Sequence, residues 1–413
     1  MLDAALARLE SRHDHHLDTL KQLVAIPSVS AKGFPVSEVD RSAEAVCEAM
    51  RAVGLTGVEV LRIPGALPYA YGEWLGAPGA PTVLLYGHHD VQPPGRPEHW
   101  VSPPFSPEVR NGRLFGRGSV DDKAGVMAHI AAIDAFLGGP GACPVNLKFV
   151  VEGEEEVGSV GLETFLETHK EKLAADVIVL TDTANLDTSI PSLTYRLRGI
   201  VVVDVKVLAL EHPLHSGMWG GPVPCPALAL SKILASLVDV DGVPTIPGFF
   251  DNVREPSAAE PRRLQALPYQ KPKLREQARR QPGVVLAGEP DYSVWDRMWV
   301  RPCLSVSALE ASRMEGGANQ IVDFARARIG ARVVPDQDPA RIGRLIAAAV
   351  REAAPWGMEV TADVEATGGW WITEPDGPAF EAAFRALERG YGKPATAIGC
   401  GGSITFVEPF ARD

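Results

Sequence analysis

Thr82–Asp90 reads TVLLYGHHD, a short apolar run that opens on two β-branched residues and closes on polar donors. A run of that length and texture predicts a buried strand. Val145–Val151 (VNLKFVV) is a second such run and leads into Glu152-Gly-Glu-Glu-Glu156; Ala175–Leu180 (ADVIVL) is a third and leads into Thr181-Asp182. Between the first two, Asp122 to Leu137 sets Val126, Ile130, Ile133 and Leu137 on one stripe, the period of a helix. Gly161 to Leu173 has the same texture ahead of the third. Strands alternating with helices predict an α/β domain with a mixed, largely parallel sheet and helices on both faces. In such sheets ligands sit beyond the carboxyl ends of the strands, which is where the histidines and acids fall.

Outward from this segment the texture changes twice. The first twenty residues predict an amphipathic helix, with His13, His15 and His16 on a solvated face. A second helix is expected from Ser37 to Val53, stopped by Gly54. From Ser192 the strand-like runs Ile200–Leu210, Cys303–Leu309, Ala325–Val334 and Met358–Val364 mix with helix-like Pro226–Val238 and Pro339–Ala353. The stretch between, Asp241 to Arg301, is rich in Pro and Arg and irregular. We therefore expect a discontinuous catalytic domain, residues 1–191 and 371–413, interrupted by an α+β insertion at 192–370.

Composition narrows the function. The 413 residues carry 40 Lys+Arg against 52 Asp+Glu, a formal net charge of −12, which argues against a nucleic-acid binder and its basic stripe. The N-terminus lacks the basic and apolar regions of a signal peptide, and no apolar run is long enough to span a membrane. Cys47, Cys143, Cys225, Cys303 and Cys400 are scattered, odd in number and contain no C-x-x-C, so neither a disulfide framework nor a thiolate zinc site is indicated. A reduced, cytoplasmic compartment is the expectation.

The chemistry-bearing residues are His88 and Asp90, Asp121 and Asp122, Glu154 to Glu156, and Asp182, each at or just beyond an expected strand end. Singly, each has a plain structural reading: a surface His-x-Asp, a helix-capping Asp pair, a solvated acidic loop. Together they resemble what a divalent metal needs, nitrogen and oxygen donors converging from several elements. A carboxylate can also bridge two ions, and a neighbouring carboxylate can serve as general base.

In order along the chain, LLYGHHDVQPPG (Leu84–Gly95), GRLFGRGSVDDKAG (Gly112–Gly125) and EGEEEVGS (Glu152–Ser159) resemble signature segments of a metallopeptidase family. That family holds aminoacylases, carnosinase-type dipeptidases and glutamate carboxypeptidase, and the dipeptidase branch is the most similar. Asp182 in LTD, LRG at Leu197–Gly199, LHSG at Leu214–Gly217, RVVPDQDP at Arg332–Pro339 and GGS at Gly401–Ser403 extend the resemblance over nearly the whole chain. It implies that His88, Asp121, Glu156 and Asp182 ligate two divalent ions, zinc foremost with manganese or cobalt as alternatives, and that Asp121 bridges them. Asp90 would orient His88, Glu155 would be the catalytic base, and a cis peptide would join Asp121 to Asp122. His215, Arg332 and Ser403 would bind substrate, and the insertion would act as lid and homodimer interface.

The resemblance also implies a histidine ligand some tens of residues past the GGS segment. None of the ten histidines follows His215, so the Glu156 site is one ligand short here and a reading frame continuing past Asp413 is expected. The sequence thus predicts metal-dependent hydrolysis of an amide in dipeptides or short peptides with a free carboxylate. An N-acyl amino acid deacylase or carbamoylase of the same family, and a metal-poor, non-hydrolytic binding protein, are the competing readings.

Overall fold

A computed structural model describes residues 1–139, 143–257, 259–267, 276, 278–314, 317–404 and 407–412. It forms two compact units, Met1–Ala184 with Pro409–Asp413, and Asn185–Glu408.

In the first unit the sheet order is Thr56–Leu61, Tyr69–Trp74, Asn146–Glu152, Thr82–His88, Val177–Leu180. The three strands expected from the sequence lie side by side and parallel. Two antiparallel strands, which the apolar runs did not signal, extend one edge. Gly57 and Gly72 weaken their strand texture, and their pairing partners supply what local propensity does not. Alternation along the strands then sorts the faces. Leu85, Phe149 and Ala70 pack with Val46 and Met50 of the helix Val36–Ala52 and with Val126 and Ile130 of the helix Lys123–Leu137. On the opposite face Tyr69 stacks on Phe165 of the helix Leu162–Leu173, ring centroids 3.8 Å apart. Both faces are therefore covered.

Register places the site. His88 is opposite Glu152 and Tyr86 is opposite Leu180, so three strands end together and their following loops leave from one edge. Gly87 permits the helix after Asp122 to approach this edge: a Cβ there would lie 2.8 Å from Asp122 Oδ2 and 3.0 Å from Val126 Cγ2.

The N-terminal helix is two helices, Leu2–Ser11 and His13–Val24, broken at Arg12. His16 does not lie on a solvated face. It is buried, and its Nε2 is 2.9 Å from Asp134 Oδ2, which also accepts from Arg12 Nε at 2.6 Å; Arg8 Nη2 reaches Asp134 Oδ1 at 2.7 Å. His13 and His15 are exposed, as expected; His16 alone is covered, by partners far from it in sequence.

The second unit holds a four-stranded antiparallel sheet, ordered Cys303–Glu310, Phe324–Val333, Gly199–Leu208, Glu359–Gly368. Val201, Val203, Ala325 and Ile329 on its inner face pack with Leu230 and Ile233 of the helix Pro226–Ser236 and with Ile342 and Ile346 of the helix Pro339–Glu352. The compact unit is longer than the expected 192–370 insertion. Ser192–Leu197 pairs in parallel with Thr396–Cys400 and antiparallel with Trp371–Ile372, and these ladders join residues beyond 370 to it. The irregular stretch contains a short helix, Glu260–Ala266, and a π-helical turn, Asp296–Val300. No helix among the described residues is long and apolar enough to cross a membrane.

Candidate metal centre

His88, the last residue of its strand, is fully buried. Its Nδ1 lies 3.1 Å from the Asp90 carbonyl oxygen and 3.4 Å from Asp90 Oδ1. Its Nε2 faces Asp121 Oδ1 at 3.0 Å, Asp182 Oδ1 at 3.9 Å and Glu155 Oε2 at 4.0 Å. One donor atom each from His88, Asp121 and Asp182 lies within 4.8 Å of the others. The Asp121–Asp122 peptide is cis. Asp122, one of the acids singled out in the sequence, is buried, and its Oδ2 accepts from the His88 backbone N–H at 3.3 Å.

Asp90 does more than face the imidazole. Its Oδ1 accepts from the Glu155 backbone N–H at 3.2 Å and its Oδ2 from that of Glu156 at 3.1 Å. One buried carboxylate thereby orients His88 and fixes the turn that carries two acids.

The three consecutive glutamates have separate fates. Glu154 is buried; its carboxylate accepts from Leu67 N–H at 3.1 Å, Tyr69 OH at 3.0 Å and Gly161 N–H at 2.8 Å, which staples the loop shut. Glu155 points toward His88. Glu156 lies outside the three-residue cluster, and its carboxylate accepts from Gln92 N–H at 3.2 Å and Gln92 Nε2 at 2.8 Å. Gln92 and the buried pair Tyr86–Glu152, joined at 2.5 Å, were not identified from the sequence. Glu152 sits in the acidic segment, but an apolar run with one terminal acid does not say which way that acid turns.

Of the substrate residues expected from the sequence, all three lie in the second unit. Arg332 Nη1 donates to Ser403 Oγ at 2.7 Å. His215 is exposed and caps the short helix that follows, its Nδ1 accepting from Gly217 N–H at 3.1 Å.

Residues 84–412 match the model of peptidase family M20/M25/M40. The chain belongs to this family. Among its M20 relatives, the Cys-Gly metallodipeptidase dug1 of Schizosaccharomyces pombe is 31% identical over 430 residues, covering 100% of this chain and 89% of that protein. The cysteinylglycine-S-conjugate dipeptidase of Corynebacterium striatum is 35% identical over 79% of this chain and 70% of that protein. The crystal structure of human carnosine dipeptidase 1 superposes with a TM-score of 0.88 at 28% identity, over 100% of this chain and 89% of that one. This M20 chain is a hydrolase and a metallopeptidase, and the three relatives just named are dipeptidases. The reading as a metal-poor binding protein falls with that assignment.

M20 membership implies divalent metal ions, and the donor set fits them: one imidazole nitrogen and two carboxylate oxygens converge, a mixture suited to zinc and its neighbours. The electrostatics agree. Burial, with smaller contributions from Asp122, Asp121 and Glu156 and opposed by His88, pushes Asp182 up to about 7. Burial, reinforced by Asp182, Asp90 and Glu156 and opposed by His88, pushes Glu155 up to about 8. Acids crowded this closely out of water resist ionising together, and a cation among them removes that penalty.

Proposed function

We propose that this M20 peptidase hydrolyses dipeptides, and short peptides, that carry a free carboxylate. The observation behind this reading is the convergence of His88, Asp121 and Asp182 with Glu155 beside them. His88, Asp121, Glu156 and Asp182 would hold two divalent ions, zinc foremost, with Asp121 shared between them. When bound, such ions polarise a carbonyl and lower the pKa of water toward neutrality. Glu155 would take a proton from the attacking water and return it to the leaving amine. Its raised pKa suits both halves of that task. Asp90 holds the imidazole and, through two amides, the approach of Glu155. His215 would donate to the developing oxyanion, and Arg332 with Ser403 would receive the substrate carboxylate.

The first unit would then be catalytic and the second a lid that also forms a homodimer; the exposed edge strand Cys303–Glu310 offers backbone for such pairing. A cytoplasmic setting accords with five free cysteines. The deciding experiment is a substrate panel on the zinc-loaded enzyme: Cys-Gly and β-Ala-His, suggested by the relatives' names, against N-acetyl and N-carbamoyl amino acids. Preferred turnover of the dipeptides supports this reading. Preferred release of acetate or carbamate replaces it with the deacylase or carbamoylase reading.

A further inference from the structure

We propose that Arg198 is a positioning residue for the carboxylate-binding pair Arg332–Ser403, an inference that rests on the role given to that pair above. Arg198 follows the strand Ser192–Leu197 and is buried. Its Nε donates to the Gly401 carbonyl at 3.0 Å, and its Nη1 to the carbonyls of Arg297 and Arg301 and to Cys303 Sγ, each at 3.3 Å. One guanidinium thus joins a strand end, the turn at Asp296–Val300, the start of the strand Cys303–Glu310 and the Gly401–Ser403 segment.

Both partners of the Arg332–Ser403 hydrogen bond hang on groups that Arg198 holds. Ser403 lies two residues beyond Gly401, and Arg332 pairs in register with Cys303. The fit at Gly401 is close: a Cβ there would lie 2.9 Å from the Met298 carbonyl oxygen and 3.1 Å from Arg198 Nη2. That is a reason for glycine at this position independent of any backbone angle. The hydrogen bonds of Arg198 go to protein carbonyls and a thiol, so it acts through Ser403 and Arg332 rather than on the substrate.

Charge points the same way. Burial and, after it, the Arg198 guanidinium hold the pKa of Arg332 below its ordinary value, and among the described residues no carboxylate acts on it. Two guanidiniums near one another without an acid are costly to bury, and a bound anion offsets that cost. Arg198 therefore both shapes the carboxylate site and raises its preference for an anion.

The test uses the full-length, metal-loaded chain with four variants: Arg198→Met, Arg198→Lys, Gly401→Ala and Arg332→Met. The readouts are kcat and KM for a dipeptide, the inhibition constant of its C-terminal amide, and the melting temperature. Arg198→Met and Gly401→Ala should each raise the dipeptide KM by about tenfold with kcat held within about twofold, and leave the amide's inhibition constant unchanged. Arg198→Lys should recover part of the loss, because charge returns without the fork. If Arg332→Met raises the dipeptide KM while Arg198→Met and Gly401→Ala do not, or if they weaken dipeptide and amide alike, the positioning role is wrong and the carboxylate site stands. If Arg332→Met leaves the dipeptide KM unchanged, the carboxylate reading itself is wrong. Should Arg198→Met fail to fold, Gly401→Ala, which keeps the arginine, decides.

Discussion

Glu154, Glu155 and Glu156 are one residue type in three successive positions, and the structure gives them three different surroundings. The difference predicts three different outcomes on substitution. Glu155→Gln keeps the shape and removes the base, so turnover should fall by roughly 10²–10⁴-fold with metal content intact, read by steady-state kinetics beside metal analysis. Surviving turnover would remove Glu155 from the role of base. Glu154→Ala instead leaves two partly buried backbone N–H groups without their acceptor and takes from the Tyr69 hydroxyl the nearer of its two, Glu152 Oε1 being 3.4 Å away. A fully buried group so orphaned costs about 1–3 kcal/mol and these two are partly buried, so urea denaturation should show a loss of about 2 kcal/mol. An unchanged midpoint would mean that the loop does not depend on this carboxylate.

At the scale of elements, two tethers bind the N-terminal helices to the helix that follows Asp122. Lys123 Nζ donates to the carbonyls of Leu23 and Ile26 at 2.8 and 2.9 Å, at the end of the helix His13–Val24, where backbone acceptors lack partners. Near the far end of the same helix, Asp134 meets Arg8, Arg12 and His16. Burial opposes the ionisation of Asp134, but hydrogen bonds from Arg8, His16 and Arg12 outweigh it and hold the carboxyl below its ordinary value of 3.8. A depressed folded value means that the stabilisation is fully present above 3.8 and is lost as pH falls through the lower, folded value. Asp134→Asn should therefore destabilise the chain by about 2 kcal/mol near neutrality, and the gap from the parent should close in acid. A gap independent of pH would show that charge at Asp134 is not what holds the helices.

For the molecule as a whole, the proposed ions are part of the native state. A chelator should abolish turnover and lower the melting temperature, and zinc, manganese or cobalt should restore both, since a ligand bound only to the folded chain stabilises it by mass action. Asp121→Ala should reduce metal content at both positions if this residue is shared; retention of two ions per chain would contradict the bridging role. Light scattering should give twice the chain mass if the second unit pairs with a copy of itself, and a monomer at micromolar concentration would remove the homodimer from the proposal.

Local pattern carried a large share of this account, for a physical reason. Apolar runs of strand length, a helical stripe and polar residues at the run ends depend on neighbours within a few positions, so the parallel strands, the intervening helices and the site at their carboxyl ends were legible in Thr82–Asp90, Val145–Val151 and Ala175–Leu180. What depends on distant partners was not. Nothing local distinguishes Glu154 from Glu155, because the selectors are Leu67, Tyr69 and His88. His16 looks solvent-facing until Asp134, more than a hundred residues later, packs against it. The antiparallel strands Thr56–Leu61 and Tyr69–Trp74, and the ladder from Ser192–Leu197 to Thr396–Cys400, exist through pairing rather than propensity. The chain alone determined most of the elements and the kind of chemistry; tertiary packing decided which of several identical side chains faces His88 and which is tied into the loop, because only the fold brings their partners within reach.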